Sequence, residues 1–304
     1  MSSTRPVTEG YIPFKGYRTW YKIVGDAAHD AAHDAERPPL LTLHGGPGAP
    51  HDYLDNMEQL ADAGRRVIFY DQLGCGRSDK TGQPEMYTVD LFVEEVDAVR
   101  QALGLERLHI LGQSWGGMLA MSYAMTQPRG VASLIIESSP ASMPLWVSEA
   151  NRLRADLPPD VQATLLRHEQ DGTTDSPEYL EAMQVFYDRH VIRTKPMPDF
   201  VARAFEMISP EVYNIMNGPS EFHVIGTLKD WDITDRLSEI TLPALLLSGR
   251  HDEATPTIMG KLREGINGAE WVLFEESSHM SHVEEEERWM SVVNDWLARH
   301  DGAM

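Results

Sequence analysis

The sequence of 304 residues contains a single cysteine, Cys75. One thiol cannot form a disulfide within the chain, and it cannot supply the paired cysteines of a structural zinc site. The sequence also lacks any run of about 18 apolar residues, the length that crosses a bilayer as a helix, and its first residues lack the apolar segment of a signal peptide. We therefore expect a cytoplasmic protein that does not depend on oxidation.

Positive charge is scarce in this chain. Lys and Arg together number 26 and Asp and Glu number 47, which gives a formal net charge of −21. A field of this sign repels phosphate backbones and anionic lipid surfaces. We therefore expect no nucleic-acid partner and no membrane partner, whereas cationic ligands are favoured. The hydrophobic fraction of 42%, with 23 Gly and 19 Pro, is typical of a folded globular chain.

Short apolar runs alternate with helix-length amphipathic segments, which predicts an α/β fold with a mostly parallel sheet. Strands are predicted at residues 11–15, 19–24, 40–43, 67–70, 108–111, 134–136, 244–247 and 271–274. The last six are continuous apolar runs, which indicates a sheet covered on both faces. Helices are predicted at residues 90–103, 116–126 and 284–299.

The pattern changes between residues 140 and 237, where strand-like runs disappear and helix-length segments follow one another. We therefore predict a core of residues 1–139 and 238–304 and an inserted helical cap of residues 140–237. Such a cap would cover the C-terminal edge of the sheet, where α/β folds bind their ligands.

A tandem duplication, AAHDAAHD, occupies residues 27–34. Its two histidines, His29 and His33, lie four residues apart, but the sequence indicates no third metal ligand beside them. We expect a solvated loop here and no metal site.

A serine follows the predicted strand at residues 108–111, in the sequence Gly112-Gln113-Ser114-Trp115-Gly116. This G-x-S-x-G pattern between a strand and a helix is typical of the sharp turn that exposes a nucleophilic serine above the sheet. A serine hydroxyl needs a base to take its proton and a carboxylate to orient that base. In this fold the partners follow in the order Ser, Asp, His.

Two later strands end at residues that match this order. Asp252 follows the predicted strand 244–247, and His279 follows the strand 271–274. Because the carboxyl ends of parallel strands share one edge of the sheet, Ser114, Asp252 and His279 are predicted to form a catalytic triad. We expect three other histidines to be surface or packed residues: His109, His251 and His282.

A glycine-rich turn, His44-Gly45-Gly46-Pro47-Gly48, follows the strand 40–43. Acyl transfer requires N–H donors directed at the developing oxyanion. We predict that the backbone N–H groups of Gly46 and Trp115 form this oxyanion hole.

Together these motifs resemble the proline iminopeptidase family of α/β-hydrolases, which includes prolinamide and amino-acid amide hydrolases. The core motifs are HGGPG at 44–48, DQLGCGRS at 71–78 and GQSWGG at 112–117. Two segments of the predicted cap, NGPSEF at 217–222 and GTLKDWD at 226–232, look like those of the archaeal tricorn-interacting aminopeptidase and its bacterial relatives. The resemblance implies a buried structural role for Cys75.

In that family two carboxylates bind the α-ammonium group of the substrate, and the matching positions here are Glu221 and Glu253. A buried cation needs carboxylate partners, because it loses its hydration. The resemblance therefore implies a serine aminopeptidase that releases an N-terminal amino acid, preferably proline, from short peptides or amino-acid amides through an acyl-enzyme. No cofactor and no metal is implied.

Two other functions are consistent with parts of the sequence. An esterase, lactonase or amidase of the same fold would keep the triad and act on an uncharged acyl group, and it would have no use for Glu221 and Glu253 in its pocket. A non-catalytic ligand receptor on this fold would not need an intact Ser-Asp-His set. The sequence leaves open the oligomeric state and the choice between proline and other small residues.

Overall fold

A computed structural model describes residues 5–26, 34 and 36–302. The duplicated segment 27–34, predicted to be a solvated loop, lies outside the described residues except for Asp34, which forms an ion pair with Arg66. No helix within the described part of the chain is both long enough and apolar enough to span a bilayer.

The described residues form one eight-stranded sheet, which is mostly parallel, as predicted. Its strands are β1 Val7–Phe14, β2 Tyr17–Val24, β3 Leu40–Leu43, β4 Val67–Tyr70, β5 Leu108–Gln113, β6 Val131–Glu137, β7 Ala244–Gly249 and β8 Glu270–Phe274. Their order across the sheet is β1-β2-β4-β3-β5-β6-β7-β8, with β1 antiparallel to β2, β2 antiparallel to β4 and the other pairs parallel.

The central strands are more deeply buried than the edge strand β8. Every residue of β3 to β7 is buried, because helices cover both faces of the sheet there. The prediction that the eighth strand is covered in the same way is wrong. In β8 Glu270 is exposed and residues 271–273 are half-buried, since this strand has a neighbour on one side only.

The described residues also form ten α-helices. They are α1 Val89–Ala102, α2 Trp115–Ala124, α3 Met143–Arg154, α4 Pro159–Asp171, α5 Pro177–His190, α6 Asp199–Glu206, α7 Pro210–Met216, α8 Pro256–Gly265, α9 Ser281–Glu284 and α10 Glu286–His300. The single helix predicted at 284–299 is two helices here, because Glu285 leaves helical geometry, with φ −127° and ψ 51°. The buried face of α10 carries Trp289, Val293, Trp296 and Leu297.

Five of these helices, α3 to α7, lie between β6 and β7 in the chain. Helix α6 packs against a 3₁₀ helix of the sheet domain, His51–Ala63, and Arg203 of α6 donates to Asp52 and Asp55 over 2.8 and 2.9 Å. These ion pairs attach the inserted helices beside the C-terminal ends of the strands.

Candidate active site

The turn between β5 and α2 carries Ser114, whose φ of 57° and ψ of −124° are unusual for a residue with a side chain. Its glycine neighbours have no room for a Cβ. A Cβ on Gly112 would lie 2.1 Å from the Gly116 oxygen, and one on Gly116 would lie 1.9 Å from the Leu43 oxygen. The G-x-S-x-G spacing is therefore a packing requirement, and it brings Ser114 to the wall of a cavity.

His279 and Asp252 form a buried pair. Nδ1 of His279 donates to Oδ1 of Asp252 over 2.8 Å. Burial by itself would lower the pKa of His279, but the Asp252 carboxylate raises it, and the net direction is upward. No hydrogen bond joins His279 to Ser114 within the described residues, although both line the same cavity. Catalytic hydrogen bonds are often long before substrate binds.

A hydrogen-bond chain links the serine turn to the glycine-rich turn and to the histidine loop. The Tyr53 hydroxyl accepts from the Gly45 N–H over 2.6 Å and donates to Oε1 of Gln113 over 2.7 Å. The Gln113 amide donates to the His279 carbonyl over 3.1 Å. This chain fixes three segments that are distant in sequence, and no sequence motif indicated Tyr53.

Glu137, at the end of β6, holds the chain just after His279. Its Oε1 accepts from the Ser281 hydroxyl over 2.6 Å and from Nδ1 of His282 over 3.1 Å. Both Glu137 and His282 are fully buried. His282 is thus a packed residue, as expected, while the role of Glu137 was not predicted.

The predicted oxyanion donors lie on both sides of Ser114. Gly46 has a φ of 109°, and the N–H groups of Gly46 and Trp115 have no acceptor among the described residues. A Cβ on Gly45 would lie 2.9 Å from the Ser114 Cβ, so this turn approaches the serine closely. The Trp115 indole is fixed by donation to Gln72 over 2.8 Å.

Glu253 and Glu221 line the same cavity as Ser114 and His279. Glu253 is 1% exposed, and neither of its carboxylate oxygens has a hydrogen-bond partner within the described part of the chain. Burial, then the charges of Glu221 and Asp252, raise the pKa of Glu253 well above its usual value. Oε1 of Glu253 lies 3.8 Å from Nε2 of His279.

The Glu221 carboxylate accepts from the Tyr213 hydroxyl over 2.6 Å, and the Glu221 backbone oxygen accepts from the Trp146 indole over 2.7 Å. Burial raises the pKa of Glu221, and the bond from Tyr213 opposes this only in part. Two carboxylates so placed repel each other and lack a counter-charge, since the described residues that line the cavity include no lysine or arginine. A cation of the substrate would supply that charge.

A second cluster of buried titratable groups, His51, Asp52 and Asp71, has the spacing of a metal site. Its carboxylates are already bound by arginines. Arg77 donates to Asp52 over 2.7 Å and to Asp71 over 3.2 Å, and Arg203 donates to Asp52. The cluster is thus an ion-pair network, and no sequence motif indicates it.

Comparison with known proteins identifies the family. A family described as the alpha/beta hydrolase fold matches residues 38–286. The proline iminopeptidase of Lactobacillus helveticus (strain DPC 4571) is 41% identical over 299 residues, which cover 97% of this chain and 99% of that protein. The chain belongs to the proline iminopeptidase family. This confirms the predicted family, the α/β-hydrolase fold and the expected class of enzyme, an aminopeptidase-type hydrolase.

Two solved structures are similar over nearly the whole chain. The crystal structure of the proline iminopeptidase of Mycobacterium smegmatis has a TM-score of 0.88 and 44% identity, and covers 97% of this chain and 99% of that one. The crystal structure of VinJ has a TM-score of 0.91 and 46% identity, with coverage of 96% and 99%. Both structures cover nearly the whole of this chain, so they resemble it in its inserted helices as well as its sheet.

Proposed function

We propose that this protein is a serine hydrolase that releases an N-terminal amino acid, preferably proline, from short peptides or amino-acid amides. In this proposal Ser114 is the nucleophile, His279 is the base and Asp252 orients the histidine. The pairing of His279 with Asp252 over 2.8 Å and the strained turn at Ser114 support these roles. The similarity of this chain to proline iminopeptidases supports the preference for proline.

The observation that carries the proposal is the unpaired carboxylate of Glu253 beside Glu221. A buried carboxylate without a hydrogen-bond donor or a cation costs free energy. Such a group is therefore expected where a bound ligand supplies the donor or the positive charge. The α-ammonium of an N-terminal residue would lie between the two carboxylates and place its own carbonyl group next to Ser114. An ester with an uncharged acyl group would leave both carboxylates without a counter-charge.

The proposed reaction has two acyl-transfer steps. The Ser114 hydroxyl attacks the carbonyl carbon while Nε2 of His279 accepts its proton, and the N–H groups of Gly46 and Trp115 stabilise the oxyanion. His279 then donates the proton to the leaving nitrogen, the C–N bond breaks, and an acyl-enzyme remains. A water molecule, activated by His279, attacks the ester and releases the free amino acid.

Residues 140–237 serve in this proposal as a cap domain over a core of residues 1–139 and 238–304. The position of Glu221 and Tyr213 at the cavity wall supports this division, because the inserted segment then supplies half of the ammonium site. The proposed compartment is the cytoplasm, where the free, buried Cys75 would stay reduced.

The ammonium site is tested with Glu221→Gln. The variant is expected to lose about 2 kcal/mol or more in kcat/KM on L-prolyl 4-nitroanilide, roughly thirtyfold, because one partner of a buried charge pair is removed. Turnover of 4-nitrophenyl propionate, which has no ammonium group, should change little.

Glu211→Gln provides the matched control, since Glu211 lies on α7 near Tyr213 but does not line the cavity. This control should behave as the parent protein on both substrates. Equal losses on the anilide and the ester in Glu221→Gln would contradict an ammonium-binding role.

A further inference from the structure

The cavity at Ser114 has two compartments of very different size. One, the slot, has a volume of about 20 Å³ and is lined by Trp115, Met118, Met143, Trp146 and Leu228. The other, the chamber, has a volume of about 460 Å³ and is lined by Met183, Tyr187, Val191, Phe205 and Ile208. Ser114, Gly46 and Glu221 line both, whereas Glu253 lines only the chamber. In the proposed reaction the scissile bond therefore lies at their boundary and the ammonium group on the chamber side.

The catalytic groups decide which part of the substrate enters which compartment. His279 must give its proton to the leaving nitrogen, and it lines the chamber but not the slot. Trp115, whose N–H is directed at the oxyanion in the proposed reaction, lines the slot but not the chamber. In the proposed reaction the leaving amine therefore departs into the chamber.

The chamber wall is largely apolar, and its carboxylates face no lysine or arginine among the described lining residues. Its side chains are contributed largely by α5, α6 and the segments that follow them. Its carboxylates are Glu206, Glu221 and Glu253, and its described lining includes no lysine or arginine. The nearby Arg203 is bound to Asp52 and Asp55. A carboxylate on the leaving group would thus enter apolar surroundings without a counter-ion.

On the basis of the proposed function, we infer that the preferred leaving group is a large apolar amine without a carboxylate. The substrates are then aminoacyl amides of hydrophobic amines rather than free dipeptides. The bond broken is the amide C–N bond, the amine leaves with the proton from His279, and water supplies the oxygen of the released amino acid.

Three substrates with one acyl group test this inference: L-prolyl methylamide, L-prolyl n-hexylamide and L-prolyl-6-aminohexanoate. Each methylene buried in the chamber should raise kcat/KM roughly threefold, so burial of three of the five additional methylenes already places the hexylamide about thirtyfold above the methylamide. The aminohexanoate has the same chain length but ends in a carboxylate, and its kcat/KM should be at least about tenfold below that of the hexylamide.

Variants in the chamber make the test specific. Phe205→Ser and Ile208→Ser should each lower the ratio of hexylamide to methylamide turnover, because they place a hydroxyl in the apolar wall. Leu166→Ser is the control, because Leu166 lies on α4 and is 50% exposed. This variant should keep the parent's ratio of hexylamide to methylamide turnover. Glu206→Lys should raise aminohexanoate turnover relative to the hexylamide, since it supplies a cation at the chamber.

The outcomes separate this inference from the proposed function. If all prolyl amides are cleaved but the methylamide is cleaved as fast as the hexylamide, the chamber does not bind the leaving amine and the inference is wrong. A preference for the aminohexanoate would also overturn it. If neither these amides nor prolyl anilide is cleaved, the proposed function itself fails.

Discussion

Ser114 combines a strained backbone with an almost fully buried position, 8% exposed. Strain of this kind persists only where the surroundings fix it, and it concentrates at functional sites. Here the surroundings are Gly112 and Gly116, which allow the strand and the helix to approach, and the hydrogen bond from the Ser114 N–H to the Glu137 oxygen. These are backbone contacts, so the conformation of the turn does not depend on the Ser114 hydroxyl that it brings to the cavity.

Replacing Ser114 with alanine should therefore abolish turnover and keep the fold. We expect Ser114→Ala to lower kcat on prolyl anilide by about 10³-fold or more, because the acyl-enzyme cannot form. Thermal unfolding should stay close to that of the parent. Ser122→Ala, which removes a hydroxyl of α2 bound to the Met118 oxygen, is the control and should remain active. Near-normal turnover of Ser114→Ala would exclude it as the nucleophile.

The pH dependence of the reaction should report His279. Burial favours the neutral ring, but Asp252, Glu221 and Glu137 together raise the pKa of His279 above its usual value. Because only the neutral imidazole accepts the serine proton, kcat/KM should fall as the pH drops through a value above about 6.5.

Measuring kcat/KM on 4-nitrophenyl propionate isolates this effect, since the ester does not use the ammonium site. Glu137→Gln should move the acid limb to lower pH, because it removes one of the negative charges that favour the imidazolium. A profile that is flat from about pH 5 to 9 would contradict a histidine base.

Single residues differ in how far the sequence predicts them. Ser114, Asp252 and His279 each follow an apolar strand, and that position alone brings them to one edge of the sheet. Tyr53 and Tyr213 follow no such rule. Their hydroxyls contact Gln113 and Glu221 only because loops and inserted helices fold back, which local sequence does not specify.

At the scale of elements, the turn before His279 is held by the start of the following helices. The Ser278 hydroxyl donates to Glu284 over 2.7 Å, and the Ser277 hydroxyl donates to Glu285 over 2.7 Å. The acidic run 284–287 opens the helix predicted at 284–299, where negative charge is favoured by the helix dipole. In the structure two of its members also fix the loop that positions the histidine.

The close contact between the serine turn and β3 predicts that substitution by alanine changes stability very differently at two glycines. Gly116→Ala would place a Cβ 1.9 Å from the Leu43 oxygen and should destabilise the protein by about 3 kcal/mol. Gly260→Ala, in α8, meets nothing within 4 Å and should be neutral or stabilising, because alanine favours helix. Urea unfolding of both variants measures the difference, and equal stabilities would contradict the packing at the serine turn.

The limits of prediction at this scale follow from the same physics. Apolar runs located β3 to β7 well, because a strand buried on both faces has a distinctive composition. The sequence does not predict the start of β1 at Val7, since the first three residues of this edge strand are all exposed and form no apolar run. The break at Glu285 was missed as well, because the residues around it are good helix formers.

At the scale of the whole molecule, a buried ion-pair network joins the inserted helices to the sheet. Asp71 accepts from His51 over 2.7 Å and from Arg77, and Arg77 shares Asp52 with Arg203 of α6. Two bonded partners in this network, Asp52 and Arg203, are 151 positions apart in the chain, so no local pattern predicts their contact. The network links the wall of the cavity to the scaffold beneath it.

Asp71 should make stability depend on acid pH. Burial opposes its ionisation, but the bonds and charge of His51 outweigh this and lower the pKa of Asp71 to about 2. Since the pKa is about 3.9 in the unfolded chain, the carboxylate contributes about 2 kcal/mol above pH ~4, which is lost as pH falls towards 2.

Asp71→Asn should therefore lower the free energy of unfolding, measured in urea, at neutral pH. The loss relative to the parent should be smaller at about pH 3. Asp62→Asn, which removes an exposed partner of Arg5, is the control and should leave stability nearly unchanged. A margin for Asp71→Asn that is the same at both pH values would contradict the linkage.

Binding of the α-ammonium group by two carboxylates is tested most directly by measuring kcat/KM of the unmodified protein on L-prolyl 4-nitroanilide and on its N-acetyl derivative. Acetylation removes the positive charge and leaves the carboxylates of Glu221 and Glu253 without a counter-charge. We expect this to cost about 3 kcal/mol or more in kcat/KM, roughly a hundredfold. Cleavage of the acetylated substrate as fast as the free one would contradict an aminopeptidase and favour an amidase or esterase of the same fold.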